Sequence, residues 1–177
     1  MTETLERTRG AANQAGAHVN KDAYAEAEDF VPLKGIDHVE FWVGNARQAS
    51  AYYRALWGFT PVAFSGLETK VRDRASYLIV QNDIRFVLTA PLTPEGEIAE
   101  HVHRHGDGVK DIAFLVDDVE SAWRETTSRG AVSVLEPVEI DGGEDGVLRK
   151  SAVRTYGEVV HSFIDRRAEP PQLMRIR

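Results

Sequence analysis

The order of residues that begins at Gly35 returns at Gly108, 73 positions later. At that offset GIDHVEFWVGNARQAS lies over GVKDIAFLVDDVESAW, with Phe41 on Phe114, Val43 on Val116 and Ala49 on Ala122. A repeat of this length means one supersecondary unit used twice, so that whatever packing satisfies the first copy must also satisfy the second.

Each copy reads β-α-β-β-β. In the first, Gly35–Val43 alternates as a strand, with Val39, Phe41 and Val43 on one face and Ile36, His38, Glu40 and Trp42 on the other. Asn45 is an N-cap, and Ala46, Ala49, Tyr53 and Leu56 recur at helical spacing until Gly58 stops the helix. Strands are expected at Phe59–Phe64, Ala75–Gln81 and Ile84–Ala90, with Asn82-Asp83 as a tight turn that lacks the usual glycine. In the second copy Asp118 caps a helix running to Ser128, and strands follow at Ala131–Glu136, Val147–Arg154 and Glu158–Asp165. The two sheets are expected to face each other. Asp141–Gly146 is a loop and Thr155–Gly157 a turn. The domain reading is a first module over 30–91, a linker over 92–107 with a short helix through Ile98 and Val102, and a second module over 108–166. Residues 1–29 hold few large apolar side chains and read as a mobile tail with a short helix from Asp22 to Glu28.

Composition narrows the partners. A net charge of -7 disfavours nucleic acid and anionic membranes, which are bound through clustered Lys and Arg. No apolar run approaches the roughly 18 residues that span a bilayer, and the amino terminus lacks a secretory apolar stretch, so the expected location is the cytoplasm. With no cysteine, any metal must be held by His, Asp or Glu.

Paired β-α-β-β-β modules resemble the vicinal oxygen chelate superfamily, whose half-open barrels hold a metal in a cup between strands. Local strings narrow the resemblance: Gly44–Ala49 (GNARQA) followed by Tyr52-Tyr53, then Gly58-Phe59, Gly66–Thr69 (GLET), Phe86–Thr89 (FVLT), His105–Phe114 (HGDGVKDIAF) and Thr155–Gly157 (TYG). In this order they are similar to the amino-terminal half of 4-hydroxyphenylpyruvate dioxygenases, a half shared with 4-hydroxymandelate synthase. The resemblance covers roughly residues 31 to 166, and RAEPPQLMRIR departs from the family pattern as a divergent tail.

The resemblance implies one Fe(II) held by two His and one Glu, an arrangement that leaves positions open for a 2-oxo acid and O₂. It places all three ligands in the carboxyl-terminal half, so no catalytic residue is assigned here, and no tightly bound cofactor is expected on this chain. The implied partners are the catalytic half or homologous subunits, in a homo-oligomer. Within the superfamily the position of His38 often supplies a metal ligand, and the repeat places Asp111 at the equivalent point of the fifth strand. Val87 and Ser162 occupy the usual last-strand carboxylate positions, which leaves two candidate ligands where three are usual, and a polar cup satisfied by hydrogen bonds is the simpler reading.

His101, His103 and His105 invite a metal reading as well. On a helix His101 and His105 share a face, but His103 does not, and no Glu completes a zincin pattern, so a structural or solvated role is expected. Gly106-Asp107-Gly108 and Asp141-Gly142-Gly143 lack the strand-to-helix setting of a phosphate cradle and read as turns. Trp42, Trp57 and Trp123 read as core or interface aromatics. Three functions follow: a non-catalytic scaffold half of a dioxygenase, a stand-alone two-module binder that uses the cup around His38 and Asp111, or an interaction domain for intact dioxygenase subunits.

Overall fold

Helix starts are set by short polar side chains in extended backbone. Asn45 accepts a hydrogen bond from the Gln48 amide at 3.0 Å, and Asp118 accepts from the amides of Glu120 and Ser121 at 3.0 Å, so one orphan N–H group of the first helix and two of its repeat counterpart are satisfied where the repeat predicts. The computed structural model describes residues 29–141 and 147–166. The expected tail helix at Asp22–Glu28, the body of the Asp141–Gly146 loop and the carboxyl-terminal tail lie outside the described residues.

The elements are β1 (Leu33–Trp42), α1 (Ala46–Trp57), β2 (Thr60–Ser65), a single 3-10 turn (Leu67–Thr69), β3 (Arg74–Gln81), β4 (Ile84–Pro91), α2 (Glu97–His105), β5 (Gly108–Val116), α3 (Val119–Ser128), β6 (Ser133–Asp141), β7 (Val147–Arg154) and β8 (Val160–Arg166). The β-α-β-β-β order therefore occurs twice, with α2 between the copies. Gly58 closes α1 at φ 78, a conformation that glycine reaches without Cβ strain. Asn82 turns the β3–β4 hairpin at φ 52, the residue type besides glycine that tolerates this region best.

The expectation that the two sheets face each other is corrected. The strands form one eight-stranded sheet in the order β2-β3-β4-β1-β5-β8-β7-β6, in which β1 pairs antiparallel with β5 and joins the copies edge to edge. Within each copy the first and last strands run parallel, β1 with β4 and β5 with β8. The joint makes physical sense: the inner edges of both copies would otherwise present unpaired backbone groups, and each satisfies the other.

Helices α1 and α3 cover one face of this sheet, while α2 packs through His101 against Trp42. Val43, Ala46, Phe59, Ile79, Leu88 and Ala90 form the buried centre of the first copy, with Phe41, Tyr53 and Phe86 packed around it. Phe59 stacks on Phe86 at 5.0 Å between centroids, and Tyr53 meets Phe86 edge-on at 5.4 Å. The second centre gathers Val116, Val119, Ala122, Val153 and Phe163. Ala46, Ala49 and Tyr53 serve the core as their spacing predicts. Leu56 does not, being 69% exposed at the end of α1 beside Trp57, which is 59% exposed. Trp57 is thus no core residue, whereas Trp42 is buried.

Candidate functional site

The sheet face opposite α1 and α3 carries the polar side chains. The alternation of β1 sends Phe41 into the helix-side core and His38, Glu40 and Trp42 the other way. Thr89 and Ser76 follow from β4 and β3: Thr89 donates to Glu40 at 2.7 Å, and the Ser76 and Thr89 hydroxyls lie 2.9 Å apart. The Trp42 indole N–H donates to the same Glu40 carboxylate at 3.3 Å. Both donors meet on one oxygen of Glu40, Oε1.

The structure does not bring His38 and Asp111 directly opposite each other. In the β1–β5 register Asp111 pairs with Glu40 and His38 with Ala113, so the repeat-equivalent positions sit on a diagonal. Asp111 is buried and accepts from the amide of Ser162 at 3.0 Å and from its hydroxyl, with the Lys150 ammonium 3.6 Å away. His38 turns its Nδ1 to the Asp37 carboxylate at 2.8 Å. Val87, opposite Glu40 in the β1–β4 register, offers no donor atom. Two carboxylates already hydrogen-bonded to hydroxyls and a histidine held by its neighbour do not fit a ferrous ion that needs two His and one Glu.

Asp37 anchors a second polar arrangement. It is 2% exposed and accepts two hydrogen bonds from the Arg166 guanidinium, at 2.8 and 2.9 Å. Burial alone would raise the Asp37 pKa; the hydrogen bonds from Arg166 and His38 outweigh it and hold the carboxyl far below the usual carboxylate range. The same hydrogen bond raises Arg166 above its ordinary value.

The third constellation lies where α2 meets the β7–β8 turn. Among the described residues, His101, His105 and Glu158 are the one group of three His, Asp or Glu side chains whose ligand atoms all lie within 4.8 Å of one another. The histidine pair was legible as an i, i+4 face. Glu158 was not, since it arrives from a turn 53 residues after His105, and only tertiary structure delivers it. His103 stays outside the group. Burial works against ionisation of Glu158, but the hydrogen bond from His101 and the charges of Arg104 and His105 lower its pKa overall. Lys110 fixes the turn by donating to the Glu158 carbonyl at 2.8 Å, and stands 4.3 Å over the Trp42 ring.

A cavity of about 660 Å³ opens on the helix side between α1 and the start of β5, lined by Phe41, Gln48, Ala49, Tyr52, Tyr53 and Asp107, among others. Asp107 is tied by the Gly44 amide at 2.7 Å, so the Gly106-Asp107-Gly108 turn does more than reverse the chain: it joins the loops before α1 and β5.

The family model described as hydroxyphenylpyruvate dioxygenase, N-terminal, matches residues 27–176. A 4-hydroxyphenylpyruvate dioxygenase of Dictyostelium discoideum is 48% identical over 135 residues, covering 76% of this chain and 37% of that protein, and one of Danio rerio is 44% identical over 130 residues, covering 72% and 32%. The chain therefore spans about a third of the length of these relatives. A solved mutant of 4-hydroxymandelate synthase from Streptomyces coelicolor superposes with a TM-score of 0.71 at 29% identity, over 81% of this chain and 42% of that one. Methylmalonyl-CoA epimerase from Mycobacterium tuberculosis superposes with a TM-score of 0.64 over 82% of this chain and 96% of its own; at 20% identity it shares the fold. The repeated β-α-β-β-β order, the edge-to-edge sheet and these matches agree, and the chain belongs to the amino-terminal-domain family of the hydroxyphenylpyruvate dioxygenases, on a vicinal oxygen chelate fold.

Proposed function

We propose that this chain serves as the non-catalytic, amino-terminal half of a 4-hydroxyphenylpyruvate dioxygenase-like Fe(II) enzyme, a scaffold against which a catalytic half packs and through which subunits associate in the cytoplasm. The reaction served would convert 4-hydroxyphenylpyruvate and O₂ to homogentisate and CO₂, a step of tyrosine catabolism; a 4-hydroxymandelate synthase would use the same half. The observation that carries this reading is the state of the cup. Where a metal of the superfamily would sit, Asp111 is bonded to Ser162, Glu40 to Thr89 and His38 to Asp37, and His38, Glu40 and Asp111 together supply one histidine rather than two. The exposed Leu56 and Trp57 at the end of α1 support an associating role, because large apolar side chains at the surface favour burial against a partner.

The test is reconstitution. The chain is mixed with the separately produced carboxyl-terminal half of the Dictyostelium discoideum relative, and the mixture is followed by light scattering and by product formation. A complex that forms with the parent chain, weakens with Trp57→Glu and raises turnover above that of the carboxyl-terminal half alone is the expected result. Absence of any complex, with both pieces folded, would remove the scaffold reading.

A further inference from the structure

We propose that His101, His105 and Glu158 form a binding site for a single divalent transition-metal ion of the zinc or cobalt kind, clamping the helix between the two copies to the β7–β8 turn of the second. Nδ1 of His101 and Nε2 of His105 each lie 3.4 Å from the same Glu158 oxygen, Oε2. Both distances are long for a hydrogen bond to a carboxylate, which draws in to about 2.7–2.9 Å when charged. They match the spacing of two ligands on one tetrahedral ion, since bonds of about 2.0–2.1 Å to nitrogen and oxygen give an edge of about 3.3–3.4 Å. An octahedral ion with similar bonds gives about 3.0 Å, so the spacing favours a four-coordinate metal. All three ligand atoms fall within 4.8 Å, and the remaining contraction can come from His105, whose side chain is 46% exposed.

The surroundings orient the ligands as a metal site requires. His101, 6% exposed, is held edge-on to the Trp42 ring at 5.1 Å, and its ring lies 4.9 Å from that of His105. The second oxygen of Glu158, Oε1, accepts from Arg104, leaving Oε2 as a one-oxygen ligand with a supporting hydrogen bond. Arg104 also bonds Glu100, so part of its charge is neutralised away from the proposed ion, although it still opposes tight binding. A cleft of about 330 Å³, lined by Glu100, His101, Arg104, Lys110, Arg154 and Glu158 among others, adjoins the group and has room for water at a fourth position. Two imidazoles and one carboxylate suit zinc and cobalt better than calcium or magnesium, which take oxygen.

The tag-free chain is stripped with chelator and titrated with Co(II), then Zn(II), by visible absorption and calorimetry. The expected result is one ion per chain, the intense visible absorption of four-coordinate Co(II), and displacement by Zn(II). Affinity should drop at least about tenfold in His105→Ala and in Glu158→Gln, and stay unchanged in His103→Ala. Both altered residues are substantially exposed, and retained circular dichroism establishes that the variants fold. No binding, or binding that His105→Ala and Glu158→Gln leave intact, would overturn the proposal, as would an equal loss in His103→Ala.

Discussion

Arg166, the last residue of the last strand, grips Asp37 near the start of the first through both of its carboxylate oxygens, at 2.8 and 2.9 Å. The pair ties β8 of the second copy to β1 of the first across the β5 strand that lies between them. Because Asp37 is buried and Arg166 is partly exposed, removing the arginine strands a carboxylate inside the fold with only His38 beside it. Arg166→Ala should cost about 2–3 kcal/mol at neutral pH, at the lower end for a buried pair because solvent screens the guanidinium. The pH dependence follows from the sign of the shift. Asp37 is depressed in the folded state, so its stabilisation is complete above the unfolded value near 4 and fades as pH falls below it. Urea melts should show the gap between parent and Arg166→Ala narrowing below pH 4; a gap independent of pH would contradict the role given to Asp37.

Ser151 should be better as alanine. Its hydroxyl is fully buried in β7 with no hydrogen-bond partner among the described residues, and a buried unpaired hydroxyl costs about 1–3 kcal/mol. Ser151→Ala removes that cost without opening a large cavity and should stabilise the chain by about 1 kcal/mol in a denaturant melt. A loss of stability would mean that the hydroxyl is satisfied.

Asp111 is expected to matter for folding rather than for metal. Asp111→Ala removes the acceptor for the Ser162 amide and hydroxyl and should cost about 3 kcal/mol, against about 1 for Ser162→Ala. Thermal melts with Fe(II), Zn(II) or Mn(II) separate the two roles. A site that binds only the folded state adds about 2.7 kcal/mol at a hundredfold excess over Kd. Any metal-dependent rise should persist in His38→Ala and Asp111→Ala; a rise lost in both would put the ion in the cup and favour the stand-alone binder.

Local chemistry was legible where it decides structure by itself. Asn45 and Asp118 announce their helices because a short acceptor before an apolar-periodic segment has little else to bond, and Asn82 announces a turn because few other side chains tolerate its φ. Strand β6 was expected to end at Glu136 but continues to Asp141 through Pro137. Proline is tolerated there because β6 lies at the sheet edge with a register shift between Leu135 and Val138, and edge position is a property of the whole sheet. The β1–β5 joint was hidden for a related reason: strands far apart in sequence carry no local sign of pairing, and the register that sets Asp111 beside Glu40 and His38 beside Ala113 belongs to the assembled sheet. Glu158 carries no local sign of its place, because it lies 53 residues beyond His105 in a turn that the fold alone sets against α2.

The scaffold account stands or falls on what the chain does alone with 4-hydroxyphenylpyruvate. The measurement is turnover by the purified, homogeneous chain supplied with Fe(II), O₂ and reductant, with homogentisate quantified against an iron-only control. Since His38, Glu40 and Asp111 of the cup supply one histidine rather than two, and both carboxylates are already hydrogen-bonded, the expected product is at the level of the control. Homogentisate formed well above that level, and abolished by His38→Ala or Asp111→Ala, would contradict it and make this chain a dioxygenase in its own right.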